Sequence, residues 1–196
     1  MYKILIFLIL INGSITPLLS QEIFNTDKFL EERNNINRNG MYILGGWAIA
    51  NIISGTVGNY SSGGKTKYFH QFNAVWNTVN LGIAVFGLTG ISADPLSLSE
   101  SFSEFNSLQN LLLLNAGLDV AYIVSGFYLK ERSKNAGSKN NLLIGYGNSL
   151  IMQGSFLLAF DLVLYFLHKN NSVINLFPLL NFSDTSFLGI QFQIKV

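Results

Sequence analysis

The chain has 196 residues, 49% of them hydrophobic and only 12% charged, with no cysteine and a formal net charge of +1. A soluble domain usually carries about a quarter charged residues, so the charge here is too sparse to coat a water-facing enzyme, and its near balance excludes the basic field that grips nucleic acid. The missing cysteines remove disulfide frameworks, thiolate metal sites and cysteine nucleophiles, and the length suits a bundle of four or five membrane helices.

Residues 1–20 open with Lys3, run through the apolar stretch Ile4 to Ile11 and reach Pro17 and Ser20 just before Gln21 and Glu22. Such an apolar run is too short to span a bilayer, and with these flanks it predicts a secretory signal peptide cut after Ser20, against which stands only Leu18 where a small residue is expected. Residues 21–39 read as a periplasmic segment with a short outer helix, capped by Thr26 and bearing a weak apolar face of Phe29, Leu30 and Ile36.

Four stretches, 40–58, about 73–91, 108–129 and about 142–168, are each apolar over the length a helix needs to cross hydrocarbon. The connection after the first carries Lys65 and Lys67, and that after the third carries Lys130, Arg132, Lys134 and Lys139 against Glu131. Between them, 92–107 holds Asp94, Glu100 and Glu104 and no Lys or Arg. The positive-inside rule then places the first and third connections in the cytoplasm and the middle one outside. An export signal gives the same threading, with both termini periplasmic in an inner membrane.

Within the outer connection, Asp94-Pro95 reads as a helix start with Pro at the first helical position, and Ser97 with Glu100 reads as a capping box. Leu98, Phe102 and Phe105 then share a face. This is either an amphipathic helix lying on the membrane surface or a plain extension of the third span.

Residues Gly46 to Gly55 of the first span can be laid without a gap on Gly117 to Gly126 of the third. The match aligns Gly46, Ala50 and Ser54 with Gly117, Ala121 and Ser125, a small-residue ridge on each helix of the kind that lets membrane helices pack closely. Either the chain is a parallel duplication of two helical hairpins, or two packing helices converged on the same spacing.

The second span carries His70, Asn73, Asn77 and Asn80 along one helical face. Amides left unsatisfied in hydrocarbon cost several kcal/mol, so this face must meet another helix, as interhelical glue, or a wet track for a ligand or proton. Asp119 lies in the middle of the third span and Asp161 in the fourth, and no Lys or Arg lies in any span. Carboxyls placed there usually face the bundle interior and find partners. They are therefore either proton-binding groups or neutral hydrogen-bond donors, with Asn51, Asn77, Asn80, Asn115, Tyr122 and Gln153 as candidate neighbours. With only His70 and His168 there is no histidine metal set, no phosphate loop and no nucleophile elbow. No catalytic residue, metal or cofactor is expected.

After Asn170-Asn171 the helical pattern stops, and 189–196 alternates apolar and polar with Ile190, Phe192, Ile194 and Val196 on one side. As a lone strand it packs on the bundle, pairs with a second copy, or docks on a partner's sheet edge.

The runs Gly40-Met41, Leu44 to Ala48, Tyr68 to Gln71, Trp76-Asn77, Gly117 to Asp119, Gln153-Gly154, Phe156 to Leu158 and Phe160-Asp161 resemble a family of small four-helix membrane proteins from Bacteroidota, a domain of unknown function. The resemblance spans nearly all of the chain after residue 20 and implies a Gram-negative envelope setting without implying an activity. The expected protein is an all-α integral membrane four-helix bundle, 40–168, with short periplasmic helices and an extended periplasmic tail, 169–196. Its expected role is a non-catalytic assembly module in contact with the bilayer and with an envelope protein or its own copies; the alternative is a small carrier or proton-linked permease built on Asp119 and Asp161.

Overall fold

The computed structural model describes residues 26–92 and 94–180 of the chain. The expected signal peptide and the alternating strand at 189–196 lie outside them. The described residues form four long helices and no strand: α1 (Asp27–Ser61), α2 (Gly64–Thr89), α3 (Leu98–Ser133) and α4 (Asn140–Asn175).

α1 fuses the expected outer helix and the first span into one rod. Gly40, where a boundary was expected, sits inside it, because a Cβ there would come 3.0 Å from Leu164 of α4. Its glycine serves close packing, not a stop. Thr26 precedes the helix but caps nothing with its side chain; its hydroxyl donates instead to the Leu96 carbonyl at 2.9 Å.

α3 starts at Leu98, not at Asp94-Pro95 as the proline suggested. Ser92 occupies the Asp94 carboxylate (2.7 Å), so that residue caps nothing. Ser97 and Glu100 form the expected capping box, the Glu100 carboxylate accepting from the Ser97 backbone at 2.9 Å. These bonds from Ser97, first its hydroxyl and then its N–H, hold the Glu100 carboxyl below the usual glutamate range. From there the helix runs unbroken to Ser133, so the amphipathic stretch is an extension of the span.

α4 also outruns its predicted end. It continues past Asn170-Asn171 to Asn175, followed by a further helical turn over 177–180. The asparagines do not break it because their amides are used in packing: Asn171 Nδ2 donates to the Phe29 carbonyl at 3.0 Å, and Asn175 Nδ2 to Asn171 Oδ1 at 2.8 Å.

α1 packs along α2 and α3 along α4, and the two hairpins meet chiefly through α2 against α4, with a smaller seam between α1 and α4. Each hairpin closes on a glycine. A Cβ on Gly55 would lie 2.7 Å from the His70 carbonyl and 2.8 Å from the Ala74 nitrogen; one on Gly126 would lie 2.6 Å from the Gly147 carbonyl and 3.0 Å from the Ile151 nitrogen. Gly55 and Gly126 are the matched last residues of the repeat, so both halves of the chain close by the same device.

The ridges named from sequence do not do this packing. Gly46, Ala50 and Ser54 on α1 and Gly117, Ala121 and Ser125 on α3 are all exposed, and a Cβ on Gly46 or Gly117 would meet nothing within 4 Å. The buried face of α1 is the adjoining row, Leu44, Ala48, Asn51 and Gly55. Burial of polar Asn51 and Asp119 fixes the inward face, which turns the small-residue rows outward.

Through most of its length the bundle is inside out. Ile53, Val75 and Phe166 are about 60% exposed, whereas Asn77 and Gln153 are fully buried. Water would expel such a surface, and lipid would accept it. At the end formed by the start of α1, the start of α3 and the end of α4 the pattern inverts. Phe29, Leu30, Phe105 and Leu176 pack there with Leu96, Leu98 and Phe177, while Asp27, Lys28, Glu31 and Glu32 face outward. A cap with an apolar core and a charged shell thus crowns a barrel of opposite polarity.

The stretches Asp27–Ser61, Leu98–Ser133 and Gly137–Leu180 are long and apolar enough to cross a membrane. α2 is not among them, since His70, Gln71, Asn73, Asn77 and Asn80 lower its hydropathy.

Candidate functional site: a buried polar core

Gln153 of α4 is the hub. Its Oε1 accepts from Trp47 Nε1 of α1 at 2.9 Å, and its Nε2 donates to Asn51 Oδ1 (3.3 Å) and Asn73 Oδ1 (3.1 Å), so one side chain ties α1, α2 and α4 together. Ser149, one turn before Gln153, also donates to Asn73 Oδ1. Asn77 Nδ2 returns to the Asn73 carbonyl at 2.9 Å, and Asn80 Nδ2 donates to Asn77 Oδ1 at 3.2 Å. Trp47 lies flat on Phe156, ring centroids 3.9 Å apart, which holds its indole N–H toward the hub. The face predicted on α2 is real for Asn73, Asn77 and Asn80. His70 departs from it: half-buried, it packs its ring over Gly58 of α1, and its Nδ1 has no partner among the described residues.

The carboxyls form a second centre, between α3 and α4. Close approach at Gly154, where a Cβ would stand 2.9 Å from the Asp119 carbonyl, brings Asp119 and Asp161 close enough for each carboxyl to act on the other. Two carboxyls so placed can share a hydrogen bond only when one of them carries a proton. Asp119 is 3% exposed, and its Oδ2 is buried with no partner. The amides expected to solvate it are spent on each other instead, and Asn115 stands half-buried on α3, making no hydrogen bond with the described residues. Among the described residues no three His, Asp or Glu side chains gather to hold a metal ion.

A third polar layer, in the cap, was not predicted. Arg33 of α1 pairs with Glu104 of α3, and fully buried His168 lies beside that guanidinium with its Nε2 unpartnered. Ser149 and Trp47 were missed too. For Ser149 the signal was its i, i+4 spacing to Gln153; for Arg33 no sequence signal separates it from its charged neighbours.

Asp119→Asn is expected to keep a donor for Asp161 at nearly the same volume and to cost about 1 kcal/mol, whereas Asp119→Leu strands the Asp161 carboxyl and costs roughly twice that. Melting temperatures of the detergent-solubilised variants test the order, and equal loss in both would refute the shared hydrogen bond.

The chain matches the family described as "Family of unknown function (DUF6992)" over residues 43–162. That span takes in the Gln153 hub and both aspartates but leaves out Arg33, Glu31 and the other α1 residues of the cap. No curated protein and no solved structure matches the chain.

Proposed function

We propose that the chain, which belongs to this family of unknown function, is a four-span module of a bacterial inner membrane, non-catalytic, whose polar core fixes one bundle geometry and whose surfaces serve assembly in the envelope. The observation that carries this is the inverted polarity of the barrel. It supports α2 as a fourth span despite its low hydropathy, because Asn73, Asn77 and Asn80 are at most 4% exposed while Val75, Val79 and Phe86 face outward. Polar groups knitted to each other inside the bundle are affordable in lipid. The two ends also differ in charge: Lys65, Lys67, Lys130, Arg132, Lys134 and Lys139 lie at the end opposite the cap. That asymmetry supports a cytoplasmic basic end and a periplasmic cap. The outward ridges of α1 and α3 are smooth enough for another helix to approach, which favours an assembly role.

A reporter active only in the cytoplasm is expected to work when fused after Lys67 or Lys134 and to fail after Ser99 or Val196. Activity after Ser99 would overturn the threading. Affinity purification from native membranes, followed by mass spectrometry, tests the assembly role, and recovery of the chain alone as a monomer would argue against it.

The unpartnered Oδ2 of Asp119 beside Asp161 favours a second reading, a proton-linked carrier. Uptake of protons by proteoliposomes that is lost in Asp119→Asn, with the fold retained, would place it first.

A further inference from the structure

A groove of about 460 Å³ opens between α1, the end of α2 and the start of α3, just below the cap. Its residues stand at a definable height. Outward-facing apolar side chains run continuously from Tyr42 on α1 and, apart from Phe102 at the rim of the cap, from Leu111 on α3. Asn37, Ser107 and Leu108, which line the groove, therefore lie about 5 to 8 Å beyond that level at 1.5 Å per residue. This is the thickness left for headgroups on each side of the hydrocarbon. Arg33 and Glu104 line the groove one helical turn farther out.

The lining has a specific chemistry. Arg33 spends three N–H groups, on Glu104 and on Asn34 Oδ1, and so keeps two of the five donors of a guanidinium. Glu104 remains 51% exposed beside it. Asn37, Ser103 and Ser107 line the same groove and make no hydrogen bond with the described residues. A cation, an anion and uncommitted hydroxyl and amide groups thus share one recess that begins at headgroup depth beside Leu108 and opens outward from it to Arg33 and Glu104.

We propose that this groove binds the headgroup of a phosphoethanolamine phospholipid, with phosphate at Arg33 and the serine hydroxyls and the primary ammonium at Glu104. The inference rests on the membrane reading above. A purely anionic headgroup would satisfy Arg33 but meet repulsion from Glu104, and a choline headgroup has no N–H to give that carboxylate. The acyl chains would continue along the apolar surface below, beside Phe86 and Leu111, which are 78% and 52% exposed.

The test is native mass spectrometry of the full chain in mild detergent, offered phosphatidylethanolamine, phosphatidylglycerol and phosphatidylcholine with identical acyl chains, and soluble phosphoethanolamine. Retention of the ethanolamine lipid is expected to exceed that of the other two by roughly tenfold. Equal retention of the three overturns the proposal without any variant having to fold. Glu104→Gln, at a half-exposed position, should abolish the preference over phosphatidylglycerol, and Ser107→Trp should fill the groove and lose the adduct; an unchanged preference in either well-folded variant overturns it as well. Binding of soluble phosphoethanolamine as tight as that of the lipid overturns the lipid as the occupant. Alkaline carbonate extraction of the source membranes keeps the two readings apart. A chain released to the supernatant overturns the membrane reading, whereas a chain retained in the pellet without lipid preference overturns only the groove.

Discussion

Gln153→Leu is expected to be the most damaging single substitution in the barrel. Leucine nearly conserves the volume, so no large cavity forms, but Trp47 Nε1 loses its acceptor, and Asn51 Oδ1 and Asn73 Oδ1 lose the amide they share. Asn73 Oδ1 keeps the Ser149 hydroxyl, but an unsatisfied buried group costs about 1–3 kcal/mol, so stranding Trp47 Nε1 and Asn51 Oδ1 together costs about 2–6 kcal/mol, a large part of the stability of most domains. Denaturation of the solubilised protein reads the loss directly, and Trp47 fluorescence reports whether its indole has been released from the hub. Gln153→Glu is the informative companion. A carboxyl can still accept from Trp47 but donates to neither asparagine when ionised and to only one when protonated, so its stability should lie between wild type and leucine. Near-wild-type stability of Gln153→Leu would show that the hub contributes little.

Gly126→Leu is expected to separate α3 from α4. Even the first carbon of a side chain would stand 2.6 Å from the Gly147 carbonyl, a backbone atom that cannot rotate away. Overpacking of this kind costs about 1–3 kcal/mol where neighbours can adjust; a leucine against backbone belongs at or beyond the upper end. The contrast lies five residues earlier. Ala121→Leu adds comparable bulk to an exposed position and should be nearly neutral in the isolated chain. Gly55→Leu in the first hairpin should reproduce the Gly126 effect, since the His70 carbonyl and the Ala74 nitrogen crowd it equally. If Ala121→Leu proved as harmful as Gly126→Leu, the outward ridge would have to be an interface with another helix.

Much of the fold could be read from residue order, and the errors have common causes. Helices were legible because apolar stretches of the right length admit little else; at the start of α3 the reciprocal cap of Ser97 and Glu100 was legible from its fixed spacing, whereas Asp94-Pro95 pointed to too early a start. Helix ends were misjudged wherever asparagine or glycine stood as punctuation: Gly40 and Asn171 both lie inside helices, held there by contacts to Leu164 and Phe29 from distant parts of the chain. Facing was the harder question. In a helix that is apolar on its outside and only partly polar within, a row of small residues looks the same whether it turns in or out. Asn73, Asn77 and Asn80 were placed correctly because amides constrain facing strongly, while Gly46, Ala50 and Ser54 do not. That the two aspartates would pair with each other, and the amides among themselves, depends on which helices are neighbours, and one sequence does not carry that.

The cap also sets an order of events during biogenesis. Its core joins Phe29 and Leu30 from the start of the described chain, Phe105 from its middle and Leu176 from its end, and the Asn171 amide grips the Phe29 carbonyl across 142 residues. The first hairpin can close on Gly55 as soon as α2 has been made, because the contacts at that glycine are with His70 and Ala74 of α2. The cap has no such early partner: until the ribosome has delivered α4, Phe29 and Phe105 lack Leu176. A nascent chain therefore exposes these aromatic groups until α4 has been made, and their burial marks the moment at which the start of α1 meets the end of α4. A truncation before Asn171 would leave a bundle whose hairpins are closed within the barrel and whose crown remains open.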